Sequence, residues 1–168
     1  MNPIIIKNNF FKDPDTVVEY SKTLDFKPPL SYQLWPGLRT DNLSDIDKNF
    51  FLDVMLKILS TLYSDKEFRF EDSWLHFHKI KKGDKAKISY HKDKGFKLAS
   101  VIYLTKNGDI DNGTTIFDEN GNKQVIVANK YNSMVLYESN KLHGATNMDF
   151  DEERLTLIAF FKDIIVAN

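Results

Sequence analysis

Phe96-Lys97-Leu98-Ala99-Ser100-Val101-Ile102-Tyr103-Leu104 is the stretch on which the fold turns. It is rich in residues that favour extended backbone and reads as a strand. The segments on either side share its character. Upstream, Phe68–Ile80 alternates with period two and Ala86–His91 follows. Downstream, Thr114–Phe117, Gln124–Ala128, Ser133–Tyr137, His143–Met148 and Arg154–Phe161 read as further strands. They are divided by Gly- and Asn-bearing turns, among them Asn107–Gly113 and Glu119–Asn122. About eight short strands joined this way predict two packed antiparallel sheets, a sandwich or jelly roll.

The chain before Phe68 has a different rhythm. Ile4–Phe11 is expected to form a first strand. Asp13-Pro14-Asp15 then opens a helix, with Asp as cap and Pro at the first helical position, running to about Leu24. From Ser44 to about Tyr63, Ile46, Phe50, Val54, Ile58 and Leu62 recur every fourth residue. That spacing predicts one long helix with an apolar stripe against the sheet, so the helices support one face. Between the helices, Ser31–Asp41 turns at Pro36-Gly37 and carries Tyr32, Trp35 and Arg39. Either its aromatic residues pack on the core, or the loop is a lid whose Tyr32, Trp35 or Arg39 touches a substrate. No linker, repeat or low-complexity segment interrupts the chain. Residues 1–168 are therefore expected as a single domain, with strand, helices and lid loop in 1–66 and the jelly-roll core in 67–168.

Composition narrows the chemistry. Lys and Arg number 23 against 24 Asp and Glu, so no global field favours nucleic acid or an anionic membrane. A small-molecule or peptide partner is the expectation; oligomeric state is not legible. Cysteine is absent, which excludes a disulfide scaffold, a thiolate zinc site and a cysteine nucleophile together. Histidine and carboxylates are left as metal ligands. The apolar run at Ile4-Ile5-Ile6 is too short for a signal peptide or a membrane span, so a soluble cytoplasmic protein is expected.

Against that background, Ser89-Tyr90-His91-Lys92-Asp93-Lys94-Gly95 stands out. In extended backbone His91 and Asp93 project to one side, half of a metal site. The other half would come from His143. Arg154, opening the final apolar strand, needs an anion if it is buried, because a guanidinium keeps its charge. Thr156 lies on the same face and adds a hydroxyl, so the two form a carboxylate clamp. His76 and His78 also share a strand face and are rival ligands. Nothing downstream is spaced for them; one of the two, His78, is a candidate contact of the site or of the substrate, and otherwise they read as half-buried strand residues.

The order His91-x-Asp93, His143, Arg154-x-Thr156, all at strand ends, strongly resembles the non-haem iron, 2-oxoglutarate-dependent oxygenases. Among them it is most similar to the prolyl-4-hydroxylase-like branch. Val101–Thr105 resembles that branch's strand after the first ligand pair, Gly113–Phe117 its Gly-rich short strand, and Lys81-Lys82-Gly83-Asp84 its preceding turn. Asn132-Ser133 departs from it, standing where a small residue and Gly would be expected. The resemblance implies a double-stranded β-helix, with Fe(II) held by His91, Asp93 and His143 in a facial triad that leaves three positions open. It further implies that 2-oxoglutarate fills two of these and O2 the third, with Arg154, Thr156 and Tyr103 on the distal carboxylate. The implied activity is oxidative decarboxylation to succinate and CO2 coupled to hydroxylation of a substrate such as a prolyl or other peptidyl residue. Halogenating relatives lack the carboxylate that Asp93 provides. Two alternatives stand beside this reading: a cupin-like metalloenzyme that does not use 2-oxoglutarate, and a non-catalytic jelly-roll binding module.

Overall fold

A computed structural model describes residues 3–84, 90–148 and 152–167. Among these residues nine strands and three helices follow the order β1 (Ile5–Lys7), α1 (Pro14–Lys22), β2 (Leu38–Arg39), α2 (Leu43–Ile46), α3 (Lys48–Leu59), β3 (Phe68–Ile80), β4 (Leu98–Tyr103), β5 (Thr114–Phe117), β6 (Lys123–Val127), β7 (Ser133–Glu138), β8 (His143–Ala145) and β9 (Arg154–Val166). The strands make two antiparallel sheets, as the alternation predicts. The larger has the order β1-β7-β4-β9-β3-β2 and the smaller β6-β5-β8.

Period two decides what each face of the large sheet meets. On β9, Leu155, Leu157, Ala159 and Phe161 join Leu75 and Phe77 of β3 in a core shared with α3 residues Val54, Met55 and Ile58. The alternate residues of β9, from Arg154 and Thr156 to Ile158 and Phe160, line a cavity on the other face. A smaller core on that side joins Tyr103 and Tyr137 to Ile116 and Val127 of the small sheet. β9 is thus apolar on both faces because both are covered. Phe77 is fully buried and stacks on Phe50 with ring centroids 6.1 Å apart. Phe77→Ala is expected to cost about 3–5 kcal/mol, read as a shift in urea midpoint.

The expected long helix from Ser44 to Tyr63 is instead two helices and stops at Leu59. Asp47 sits at φ −144°, ψ 90°, ends α2 and caps α3, its side chain accepting from the Phe50 amide. Asn42 caps α2, and its Oδ1 also accepts from the Leu75 amide at 3.0 Å, fixing α2 to β3. Local capping thereby overrides an unbroken apolar stripe. The first strand is shorter than Ile4–Phe11, because Phe10 and Phe11 turn to bond the main chain and side chain of Asn132. Asn132 itself takes φ 59°, the left-handed conformation for which a glycine would be expected. The final strand runs beyond Phe161 to Val166, paired with β3 along its length. Of the expected strand Ala86–His91, residues 86–89 lie outside the described residues. His91 makes a single bridge to His143 rather than sitting in a regular strand. Among the described residues no helix is long and apolar enough to cross a membrane.

Candidate active site

The cavity has a volume of about 1220 Å³ and takes walls from both sheets, including Val101, Thr114, Tyr137 and Ile158. His91, Asp93 and His143 meet in its wall, and their ligand atoms all lie within 4.8 Å of one another. The main chain brings them there. His91 N–H donates to His143 O at 2.8 Å and His143 N–H returns to His91 O at 2.9 Å, while Asp93 N–H donates to Ser139 O at 2.9 Å.

The side chains then face inward on one another. His143 Nε2 lies 3.1 Å from Asp93 Oδ2, and His91 Nε2 lies 3.4 Å from Asp93 Oδ1. His143 Nδ1 is 2.8 Å from the Lys141 carbonyl. A carbonyl only accepts, so Nδ1 carries the proton and Nε2 is left with a lone pair. A lone pair facing a carboxylate oxygen at that distance is favourable only with a cation or a shared proton between them. Burial pushes the Asp93 carboxyl up, but the adjoining His143 and then His91 outweigh it and hold the group well below the usual carboxylate range. Two nitrogens and an ionised carboxylate on one side of a cavity are a donor set for a divalent transition metal.

Arg154 and Thr156 are both buried and both line the cavity. Arg154 Nε donates to the Asn112 carbonyl at 3.0 Å, and its guanidinium carbon lies 5.6 Å from the Tyr103 ring centroid. Burial lowers its pKa, opposed by Tyr103 and Tyr137. Among the described residues Arg154 forms no ion pair. Tyr103 gives its hydroxyl to Thr114 Oγ1 at 2.6 Å, and of that pair Thr114 is the one that lines the cavity.

The residues singled out in the loop also reach this cavity. Arg39 pairs with His78, His78 with Thr156, and Thr156 with Tyr103, a row across four strands. The guanidinium of Arg39 stands 4.6 Å from the Trp35 ring centroid, and Tyr32 is 75% exposed at the rim. His78 Nε2 bonds the Pro36 carbonyl at 2.6 Å, pinning the turn, and burial followed by Arg39 drives its pKa well down. Gly37 is required there: its φ is +73°, and a Cβ would sit 2.1 Å from Lys79 O. His76 bonds the Thr40 carbonyl at 2.9 Å and stays out of the triad.

Tyr137 and Asn112 escaped the sequence reading. The Tyr137 ring centroid is 4.7 Å from that of His143, and burial, with the charge of Asp93, pushes its hydroxyl well up. Its place two residues after Val135 on the inward side of β7 was the available signal. Asn112 acts through its carbonyl, which no side-chain pattern reveals.

No protein-family model matches the sequence, and no curated protein matches it. Solved structures do. A 2OG-Fe(II) oxygenase family oxidoreductase from Burkholderia pseudomallei superposes with TM-score 0.69 at 12% identity, over 95% of this chain and 84% of that one. A prolyl hydroxylase from Trichoplax adhaerens, in complex with a peptide fragment of the hypoxia inducible factor oxygen degradation domain, gives 0.68 at 14%, over 97% and 84%. HygX from Streptomyces hygroscopicus, with nickel and 2-oxoglutarate bound, gives 0.64 at 10%, over 96% and 83%. At such identities the likeness is one of architecture. The chain has the double-stranded β-helix fold of the 2-oxoglutarate/Fe(II) oxygenases.

Proposed function

We propose that the protein is a non-haem Fe(II) dioxygenase that couples decarboxylation of 2-oxoglutarate to succinate and CO2 with hydroxylation of a second substrate. The observation that carries this reading is the meeting of His91, Asp93 and His143 within 4.8 Å, in a cavity also lined by Arg154, which forms no ion pair among the described residues. His91, Asp93 and His143 would hold the metal. Iron bound there would supply the redox chemistry that divides dioxygen between 2-oxoglutarate and a substrate C–H bond. Arg154 would bind the distal carboxylate of 2-oxoglutarate, held in position by the Asn112 carbonyl and the Tyr103 ring, with the Thr156 hydroxyl beside it. The Lys141 carbonyl would keep the proton of His143 on Nδ1, leaving Nε2 free to bind metal. Tyr137, packed on the His143 ring, would fix that ligand in place. The carboxylate of Asp93 occupies the place that halogenating relatives leave open, which supports hydroxylation.

Anaerobic addition of Fe(II) and 2-oxoglutarate tests this, through the visible charge-transfer band of the ternary complex. Arg154→Met is expected to weaken 2-oxoglutarate binding by ~30-fold or more, since truncating one partner of a buried charge pair costs roughly 2–5 kcal/mol. Metal uptake without 2-oxoglutarate binding would overturn the reading in favour of the cupin-like alternative.

A further inference from the structure

Arg39 is a second guanidinium in the cavity wall, and neither the metal set nor the 2-oxoglutarate clamp uses it. It stands on β2 opposite His78 and lines the cavity. Trp35 covers one flat face of the guanidinium, and Arg39 Nε is buried with no hydrogen-bond partner among the described residues. Among the described residues Arg39 forms no ion pair; the nearby Asp41 is taken by Lys27. Burial lowers its pKa to about 10, opposed by the charge of Asp93, so it remains a cation at neutral pH. A desolvated N–H without an acceptor is costly. The wall therefore suits an occupant that brings acceptors and negative charge, and Trp35 holds the fork flat to receive them.

That occupant is distinct from the one at Arg154. Arg154 pairs with Ile80 on β3 from the β9 side, whereas Arg39 pairs with His78 from the β2 side. Two strand spacings and two residues separate them, roughly 12 Å between Cα atoms. Arg39 also sits with Trp35 and the exposed Tyr32, at the rim by which a substrate enters.

We propose that Arg39, stacked on Trp35, binds a free carboxylate of the primary substrate, so that the protein acts on a small carboxylic acid rather than on an internal residue of a polypeptide. This rests on the oxygenase reading and extends it to the substrate class. Among the described residues the other cations lining the cavity are Arg154, already assigned to the co-substrate, and Lys92 and Lys94, which flank Asp93 of the metal set.

The chain has only two tryptophans, so Trp74→Phe leaves Trp35 as the sole tryptophan reporter beside Arg39. In that background, without metal, a panel of N-acetyl amino acids and their matched carboxamides is titrated against Trp35 emission. At least one acid is expected to shift the emission saturably, with its carboxamide at least ~10-fold weaker. Arg39→Gln is expected to weaken that acid at least ~10-fold, and Arg39→Lys to recover part of the loss. In both variants the anaerobic Fe(II)–2-oxoglutarate band should titrate within ~2-fold of the parent. Equal binding of acids and carboxamides, no binding of any acid, or acid binding indifferent to Arg39 would each overturn the proposal. Loss of the 2-oxoglutarate band in both Arg39 variants would also overturn it, by placing Arg39 in the co-substrate site. Absence of that band in the parent protein would instead sink the oxygenase reading, while an Arg39-dependent acid titration would still stand as an anion site.

Discussion

His143→Ala is expected to abolish metal binding and turnover together. The imidazole is buried, with Nε2 3.1 Å from Asp93 Oδ2 and Nδ1 fixed on the Lys141 carbonyl. Removing an outer partner of a metal ligand typically costs about 10–100-fold; removing the ligand should exceed that. The fold should survive, because the bonds that join His143 to His91 run through the main chain and alanine keeps them. Loss of the ring contact with Tyr137 costs only about 0.5–1.5 kcal/mol. Calorimetric titration with Fe(II) or Mn(II), beside circular dichroism, separates the two effects. An alanine variant that binds metal as tightly as the parent would mean that the three side chains do not share an ion.

Gly113→Ala should produce the other large effect, from a residue that meets no ligand. A Cβ at this position would lie 1.7 Å from Val127 O and 2.8 Å from Val127 C, both main-chain atoms of the neighbouring strand. Thr114 pairs with Val127 in register, so relief requires β5 and β6 to part. We expect a loss of about 3 kcal/mol or more, at the upper end for overpacking, and a fall in Tm of roughly 6–12 °C. The damage should reach the co-substrate as well. The residue before Gly113 gives its carbonyl to Arg154, and the residue after it receives the Tyr103 hydroxyl. Weaker 2-oxoglutarate binding is therefore expected alongside the lower Tm, checked by thermal unfolding and by the charge-transfer titration. A Tm within 2 °C of the parent would show that the hairpin yields more easily than its main-chain packing implies.

Strand periodicity carried most of what the sequence revealed. Arg154 and Thr156 share a face with Ile158 because they are two and four residues apart, and that face meets the cavity. The break at Asp47 was hidden, since the stripe Ile46, Phe50, Val54 continues through it without a missed beat. What decides it is a pair of caps and the reach of Asn42 to Leu75, a contact 33 residues away. Spacing alone also gave the wrong local setting for His91 and Asp93. They are aligned by bonds to His143 and Ser139, far along the chain, rather than by a strand of their own. Arg39 was visible as a loop cation, but its stacking on Trp35 without an ion pair among the described residues exists only in three dimensions.

The reciprocal bonds between His91 and His143 run through the main chain, whereas the atoms that would meet an ion belong to their side chains. Frame and socket are thus built from different atoms, and a change of side chain in the socket leaves the bonds of the frame in place. Because nitrogen and oxygen donors bind late first-row ions more tightly than iron, the resident ion would follow supply in the surroundings more than the shape of the socket.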